Sequence, residues 1–477
     1  MQVRVALSSL LAAIVVSGCT QLNESPSDPR PASSFEYDDR DAIPNDIPLP
    51  TPGVNQRPIV GNKKMLVTVV HWQDGDGVRK DLNEKFTLSN DPDSLRSYLY
   101  AASGGKLDLS GQVVEFTSGR RPELCKRGSP LPLSLAHSEA VKAASALGID
   151  RNNFDYFINI IDCGGSASAW VPGNTMGVYG QAGGPHVFKH EFGHNLGYQH
   201  GSTYKRCMKN GDAVLAPTGC QTILYGDLGD SVSGGGTLYP ANNRWYSGWL
   251  DDSQAAVVNR TGLYRLGVLG AEGPQLYLIN RKGLQPAQLA LEYRKPTRFD
   301  NFPPGDNKVN GVWVRYTTMT GSLVNTQLDG TPETATTADP SLLPGKMLRD
   351  EPAGISIEVC SANLDGATVA IGVNREAGSC AWPALAAPVI TSPAQGAPAI
   401  QNPAVVSGTA RPGASIGGAY RALGGWYVRN FSVVADAKGN WSTTLENLQA
   451  GSHVVWVSQQ MGISGSPISD RSFVIAP

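Results

Sequence analysis

Apolar positions along the chain switch between two periods. MLVTVVHW (residues 65–72) is a continuous apolar run of strand length, the pattern of a strand buried on both faces. SLRSYLYAAS (94–103) carries helical spacing; Asp91-Pro92 is the expected start of this helix and Gly104-Gly105 its stop. KLDLSGQVVEF (106–116) alternates like a strand, Ser134 to Leu147 reads as a second helix ended by Gly148, and FDYFINIID (154–162) is another strand. Strands alternating with helices predict a layered α/β or α+β domain.

From about residue 255 the helical period disappears. GLYRLGVL, QLYLINR, AQLALEYRK, GVWVRYT, GISIEVC and ATVAIGV follow one another with turn residues between them, which predicts an all-β sandwich or barrel. The Pro/Ala-rich stretch AWPALAAPVITSPAQGAP marks a further boundary, after which short strand patterns resume. The last segment, with its PGASI strand, the turn DAKGNWS and LQAGSHVVWV, resembles the bacterial immunoglobulin-like modules appended to many surface proteins. The expected fold is therefore multidomain: an α+β domain over 61–255, a β-rich, sandwich-like domain over 256–385, and an all-β sandwich over 388–477.

The chain has 477 residues, enough for about three domains. A hydrophobic fraction of 41% supports sizeable cores, and 54 Gly and 33 Pro favour loops and strands over a helical bundle. A net charge of −2 argues against nucleic acid as a partner held on a broad basic surface. Residues 1–18 read as an export signal, with Arg4 before the apolar run Val5 to Val16. The ending Val16-Ser17-Gly18-Cys19 resembles the bacterial lipoprotein processing site, which would make Cys19 a lipidated first residue and its anchor the link to a membrane. Thr20 after that cysteine points, by the same resemblance, to the outer membrane. An ordinary signal peptide cleaved nearby, giving a secreted protein, is the alternative. Residues 19–60 are rich in Pro, Ser, Asp and Asn and read as a spacer that buries too little to fold.

Outside the cytoplasm disulfides persist. Apart from Cys19 the cysteines are Cys125, Cys163, Cys207, Cys220, Cys360 and Cys380, none in C-x-x-C spacing. Sequence does not choose among their pairings; the sequential one is simplest, since 207/220 and 360/380 each close a short loop.

Four of the seven histidines fall between residues 186 and 200, and HEFGHNLGYQH occupies 190–200. On a helix, His190 and His194 lie one turn apart on one face. Pro185 suits the first turn. Gly197 permits the left-handed reversal that ends the helix and returns His200 as a third ligand. Three neutral imidazoles leave an open position on Zn2+ for water, as in catalytic zinc sites. Glu191, beside the first ligand, is placed to accept a proton from that water and pass it to a leaving amine. His186 shares the face and reads as a cleft or supporting residue.

This motif resembles the metzincin clan of zinc endopeptidases. The downstream stretches YGDLGDSVSGGG and LYPANNRWYSGWL resemble the gametolysin family in particular, through Tyr225-Gly226-Asp227, Asp230, Ala241, Arg244 and Gly248-Trp249-Leu250. Upstream, SGGKLDLSGQVV is also similar, so the resemblance spans about 61–255. It implies a zinc endopeptidase acting on extracellular protein or peptide. One position departs: Val232 stands where the family carries the methionine of the turn beneath the metal. That methionine supports the pocket and is not a ligand, and Met208 is a poor replacement.

Asp74-Gly-Asp76 and Asp227/Asp230 complete no calcium loop and read as turns. Tyr239, Trp245, Tyr246 and Trp249 read as core. The strand ending at Tyr179 is, by resemblance to the clan, a candidate edge strand for pairing with an extended substrate. Two other functions compete with the peptidase. One is a catalytically weak relative serving as a surface adhesin or binding protein; the other is a non-peptidase zinc hydrolase.

Overall fold

The structure, a computed structural model, describes residues 59–477 except 76, 127–130, 166, 181–183, 252, 272, 382–384 and 462–463. The export signal, Cys19 and the spacer up to residue 58 lie outside the described residues, as does Asp76.

The first sheet is built from β1 (Gly61–His71), β2 (Leu107–Thr117), β3 (Tyr156–Ile161), β4 (Ala167–Ala169) and β5 (Thr175–Tyr179), in the order β2-β1-β3-β5-β4. All neighbours are parallel except β4, which runs antiparallel to β5. β1 lies between β2 and β3, and its apolar run from Met65 to Val70 is buried throughout, as both faces of a covered parallel strand require. The helices are α1 (Lys80–Thr87), α2 (Leu95–Ala102), α3 (Glu123–Lys126), α4 (Leu133–Ala146), α5 (His186–Asn195) and α6 (Ala241–Tyr246). α4 packs on the sheet through Ala136 and Ala143, whose short side chains permit close approach.

The second expected helix matches α4 to within a residue. The first begins later than Asp91-Pro92: Ser94 caps α2 by accepting the Ser97 N–H at 3.1 Å. Asp91 instead forms a turn, its Oδ1 accepting the Asp93 N–H at 2.9 Å. β5 is not an edge, because β4 covers it. Tyr179 is buried, its hydroxyl 2.6 Å from Ser168 Oγ on β4.

A second pair of sheets follows. Four short strands, β6 (Ser202–Lys205), β7 (Met208–Asn210), β8 (Ala213–Leu215) and β9 (Gln221–Ile223), leave the metal-motif region. They join β10 (Ala255–Val258), β11 (Gly262–Leu266), β12 (Leu276–Asn280), β13 (Gln288–Tyr293), β14 (Val312–Met319), β15 (Leu323–Leu328), β16 (Met347–Asp350), β17 (Ile355–Asn363) and β18 (Gly366–Gly372). The sheet orders are β10-β12-β13-β14-β15-β6-β9 and β11-β18-β17-β16-β8-β7. Val214, Leu266, Leu289, Val314, Ile357 and Val369, drawn from both sheets, share one core, so the two form a sandwich. Every strand pattern read from the sequence after residue 255 is present.

The chain does not divide cleanly at residue 255. β6 pairs with β15 and β8 with β16, although both precede that point by tens of residues. Leu276, Leu278, Ala290, Met319 and Leu323 lie in the same core as Met65 and Phe192. The terminal segment has its own core, with Ile390, Val406, Ile416, Trp441 and Val455 buried between two further sheets. Its strands are β19 (Val389–Ser392), β20 (Ala404–Thr409), β21 (Ser415–Ala422), β22 (Arg429–Val434), β23 (Asn440–Leu445), β24 (Gly451–Met461), β25 (Ser464–Gly465) and β26 (Ser469–Ile475). Disulfides join Cys125–Cys163, Cys207–Cys220 and Cys360–Cys380, the sequential pairing, which fits an oxidising compartment. No described helix is long and apolar enough to cross a membrane.

A buried ionic lattice locks the loop over residues 227–233 to the β13–β14 hairpin. Asp227, Arg315, Glu292, Arg294 and Asp300 are each at most 2% exposed. Arg315 grips Asp227 with two bonds, Nε–Oδ2 2.6 Å and Nη2–Oδ1 3.0 Å, and also reaches Glu292. Glu292 holds Arg294 (Nη2–Oε1 2.8 Å), which continues to Asp300 at 3.2 Å. Backbone donors add to the lattice: Glu292 Oε2 accepts the Ala241 N–H, and Asp300 Oδ1, besides Arg294, accepts the Leu238 N–H. The guanidinium groups of Arg294 and Arg315 hold the Glu292 carboxyl below its usual range despite full burial. Removing one member leaves a buried charge without its counter-ion, so Arg315→Ala is expected to cost about 3–5 kcal/mol in urea unfolding. A loss below about 1 kcal/mol, the scale of an exposed pair, would show that the lattice does not hold the loop.

Candidate metal centre

α5 starts at His186 after Pro185, whose missing N–H costs nothing at a helix start. It places His190 and His194 on one face and ends at Asn195, with Leu196 as its cap. Gly197, at φ +97°, reverses the chain, and the Tyr198 N–H bonds back to Gly193 O at 3.0 Å. The returning strand is then clamped on β15: Gln199 N–H donates to Leu323 O and Leu323 N–H to Gly197 O, both at 2.8 Å. Those bonds aim His200 back at the helix. The ligand nitrogens of His190, His194 and His200 come together as one group able to hold a metal ion.

Hydrogen bonding fixes which nitrogens face inward. His190 Nδ1 lies 3.1 Å from Ser231 O and His194 Nδ1 2.7 Å from Tyr198 O. A carbonyl only accepts, so both Nδ1 atoms carry the proton and both Nε2 atoms present a bare lone pair. His200 Nε2 sits 3.1 Å from one and 3.0 Å from the other, with at most one proton to offer. At least one of these contacts therefore sets lone pair against lone pair, a repulsion that a cation among the nitrogens relieves. Tetrahedral zinc with nitrogen at about 2.05 Å asks for nitrogens about 3.3 Å apart. The spacings of His200 Nε2 to His190 and His194, 3.1 and 3.0 Å, lie close to that value.

The electrostatics agree with ligand chemistry. Burial, and then mutual repulsion, hold His194 and His200 down to about 3 and His190 well below its ordinary value, so all three rings stay neutral. Glu191 is 6% exposed, and burial pushes its carboxyl up to about 8. A bound cation acts in the opposite direction and favours the carboxylate.

Beneath the helix, Val232 is fully buried, and its Cγ2 lies 2.2 Å from where a Cβ on Gly193 would stand. Only glycine fits there, so the Val232 turn and the helix are matched surfaces. The turn is set by Asp230, whose Oδ1 accepts the Val232 N–H at 3.0 Å. Burial and the neighbouring Asp227 raise the Asp230 carboxyl to about 7. Asp227 and Asp230 are thus parts of a turn and its ionic support. Asp74 lies in a turn, and its Oδ1 accepts the N–H of Arg121, 47 residues on, at 2.7 Å.

His186 lies outside the triad, its ring 6.0 Å from that of His190. Met208 is exposed, far from the role of a buried floor. Tyr239, Tyr246 and Trp249 are buried in the core and Trp245 packs against it. Sequence reasoning did not find the carbonyls of Ser231 and Tyr198, since backbone acceptors leave no residue-type signal. It also did not find Tyr225 as a wall of the site, with its ring 4.2 Å from that of His200. No family model matches this chain, and no curated protein matches it.

The raised Glu191 carboxyl has a measurable consequence in metal-free protein. Between its ordinary 4.5 and about 8, the unfolded chain has lost this proton while the folded chain keeps it. Unfolding then releases a proton, so the group makes stability fall as pH rises through that window. Glu191→Gln removes the effect: metal-free variant should gain on the order of 3 kcal/mol over wild type at pH 8 and nothing at pH 4. Equal stabilities at both pH values would mean that Glu191 is not held in the apolar setting described.

Proposed function

We propose that the chain is a zinc-dependent endopeptidase of the metzincin type, with His190, His194 and His200 as zinc ligands and Glu191 as general base. The observation that carries this reading is the convergence of three imidazoles whose inward nitrogens share at most one proton among them. Imidazole sets suit several transition metals; the H-E-x-x-H-x-x-G-x-x-H spacing selects zinc. When bound, zinc supplies a Lewis acid that acidifies water and polarises a carbonyl.

Glu191 occupies the helical position next to His190, inside the burial that excludes bulk water. Its carboxylate takes the proton of the attacking water and returns it to the leaving amine nitrogen. Gly193 and Val232 hold the helix against its turn, and the Ser231 and Tyr198 carbonyls fix the ring orientations. The substrate is an extended segment of protein or peptide. β4, the short antiparallel edge beside α5, offers it backbone groups for strand pairing. In this reading the terminal sandwich is an immunoglobulin-like module, and Cys19 carries a lipid anchor to the cell envelope.

Metal analysis of the purified mature protein, paired with a protein-cleavage assay, tests the proposal. One zinc per chain is expected, with cleavage lost on chelation and restored by zinc. Glu191→Ala should keep the metal and lose at least about a hundredfold in kcat. Sub-stoichiometric zinc, or undiminished cleavage by that variant, would overturn the reading.

A further inference from the structure

The connection between β21 and β22 carries apolar side chains that the fold leaves in water. Leu423, Trp426, Tyr427 and Val428 are 59, 97, 77 and 47% exposed. The module does not need them for its core, which is closed around Trp441, Ile416 and Val455. Four adjoining exposed apolar residues on one turn are a costly arrangement unless something else covers them.

The turn is braced at its base. The Leu423 N–H donates to Ser452 O at 2.8 Å, and Gly424 takes φ +81°. Arg421 Nη1 donates to Gly425 O at 3.3 Å while its guanidinium lies 5.5 Å from the Trp456 ring centre. On the other side Arg429 lies 5.8 Å from the Tyr427 ring centre and donates to Glu446 O. The apolar tip is therefore flanked by two arginines. Between Glu376 and Asp436 the sequence has no Asp or Glu, and its only charged residues are Arg411, Arg421 and Arg429.

That chemistry distinguishes among partners. A sugar site sets an aromatic face beside convergent hydrogen-bonding side chains in a hollow, whereas Trp426 here is 97% exposed and its neighbours are Leu, Val and Arg. A stable protein interface covers about 800 Å² per partner, more than four side chains on a turn present. Trp and Tyr favour the boundary between lipid headgroups and acyl chains, and flanking arginines meet phosphate. We propose that the β21–β22 tip is a membrane-docking element. Leu423, Trp426 and Tyr427 enter the headgroup boundary of a bilayer containing anionic phospholipid, and Arg421 and Arg429 contact its phosphates.

Hydrogen exchange of the full chain tests this locally, whatever the N-terminal segment does. Exchange is followed with phosphatidylcholine vesicles, with mixed phosphatidylcholine–phosphatidylglycerol vesicles, and without lipid. With the mixed vesicles, amides of residues 423–430 should slow at least about fivefold, with little change on phosphatidylcholine alone. The Trp426→Ser, Tyr427→Ser double variant should lose that slowing while its amides elsewhere exchange as in wild type. No slowing, equal slowing on both vesicles, or slowing retained by the double variant would overturn the proposal. So would slowing by soluble cell-wall oligosaccharide in place of vesicles, which would assign the tip to glycan.

Discussion

The grip of Arg315 on Asp227 and Glu292 is the constraint from which the geometry of the histidine cluster follows. A guanidinium and two carboxylates out of water are tolerable only when each is fully engaged, and this requirement admits one relative position for the elements that carry them. Asp227 opens the loop that runs under α5, while Arg315 and Glu292 stand on adjacent strands of the large sheet. With Asp227 fixed, Asp230 shapes the next turn, Ser231 presents its carbonyl to His190, and Val232 meets Gly193. The floor of the site is thereby fastened to a sheet that contributes none of the three histidines.

The same sheet acts a second time. β15 takes the chain leaving Gly197 as a partner, and this pairing directs His200 toward the helix. Two of the three imidazoles therefore come from a helix whose spacing aligns them, and the third from a segment positioned by distant strands. Helix, reversal and floor each limit a different freedom of the rings, so the convergence is built before any ion arrives. That preorganisation is what a metal-binding group needs to take an ion without rearranging.

Local pattern made much of this legible. β1, α4 and the later β strands follow their hydrophobic period, and Gly197 has the positive φ that its place in the motif implied. The start of α2 was misplaced because Asp91-Pro92 satisfies its own turn and leaves the cap to Ser94. What sequence did not reveal is long-range. β6 to β9 are three or four residues each, too short for a period to register, and they exist because β15 and β16 offer them edges. Asp227 read as a turn residue because its partner Arg315 lies 88 positions away. The strand ending at Tyr179 reads as an edge by resemblance to the clan, and the three-residue β4 that covers it has no pattern of its own to correct that.

The proposed function requires a metal ion held jointly by the three histidines. Anomalous X-ray scattering at the zinc edge, from crystals of the purified chain, tests it most directly. The account predicts one strong peak about 2.0–2.1 Å from the Nε2 atoms of His190, His194 and His200 together. No peak among these nitrogens in zinc-supplemented crystals, or one bound by only one of the three rings, would contradict it.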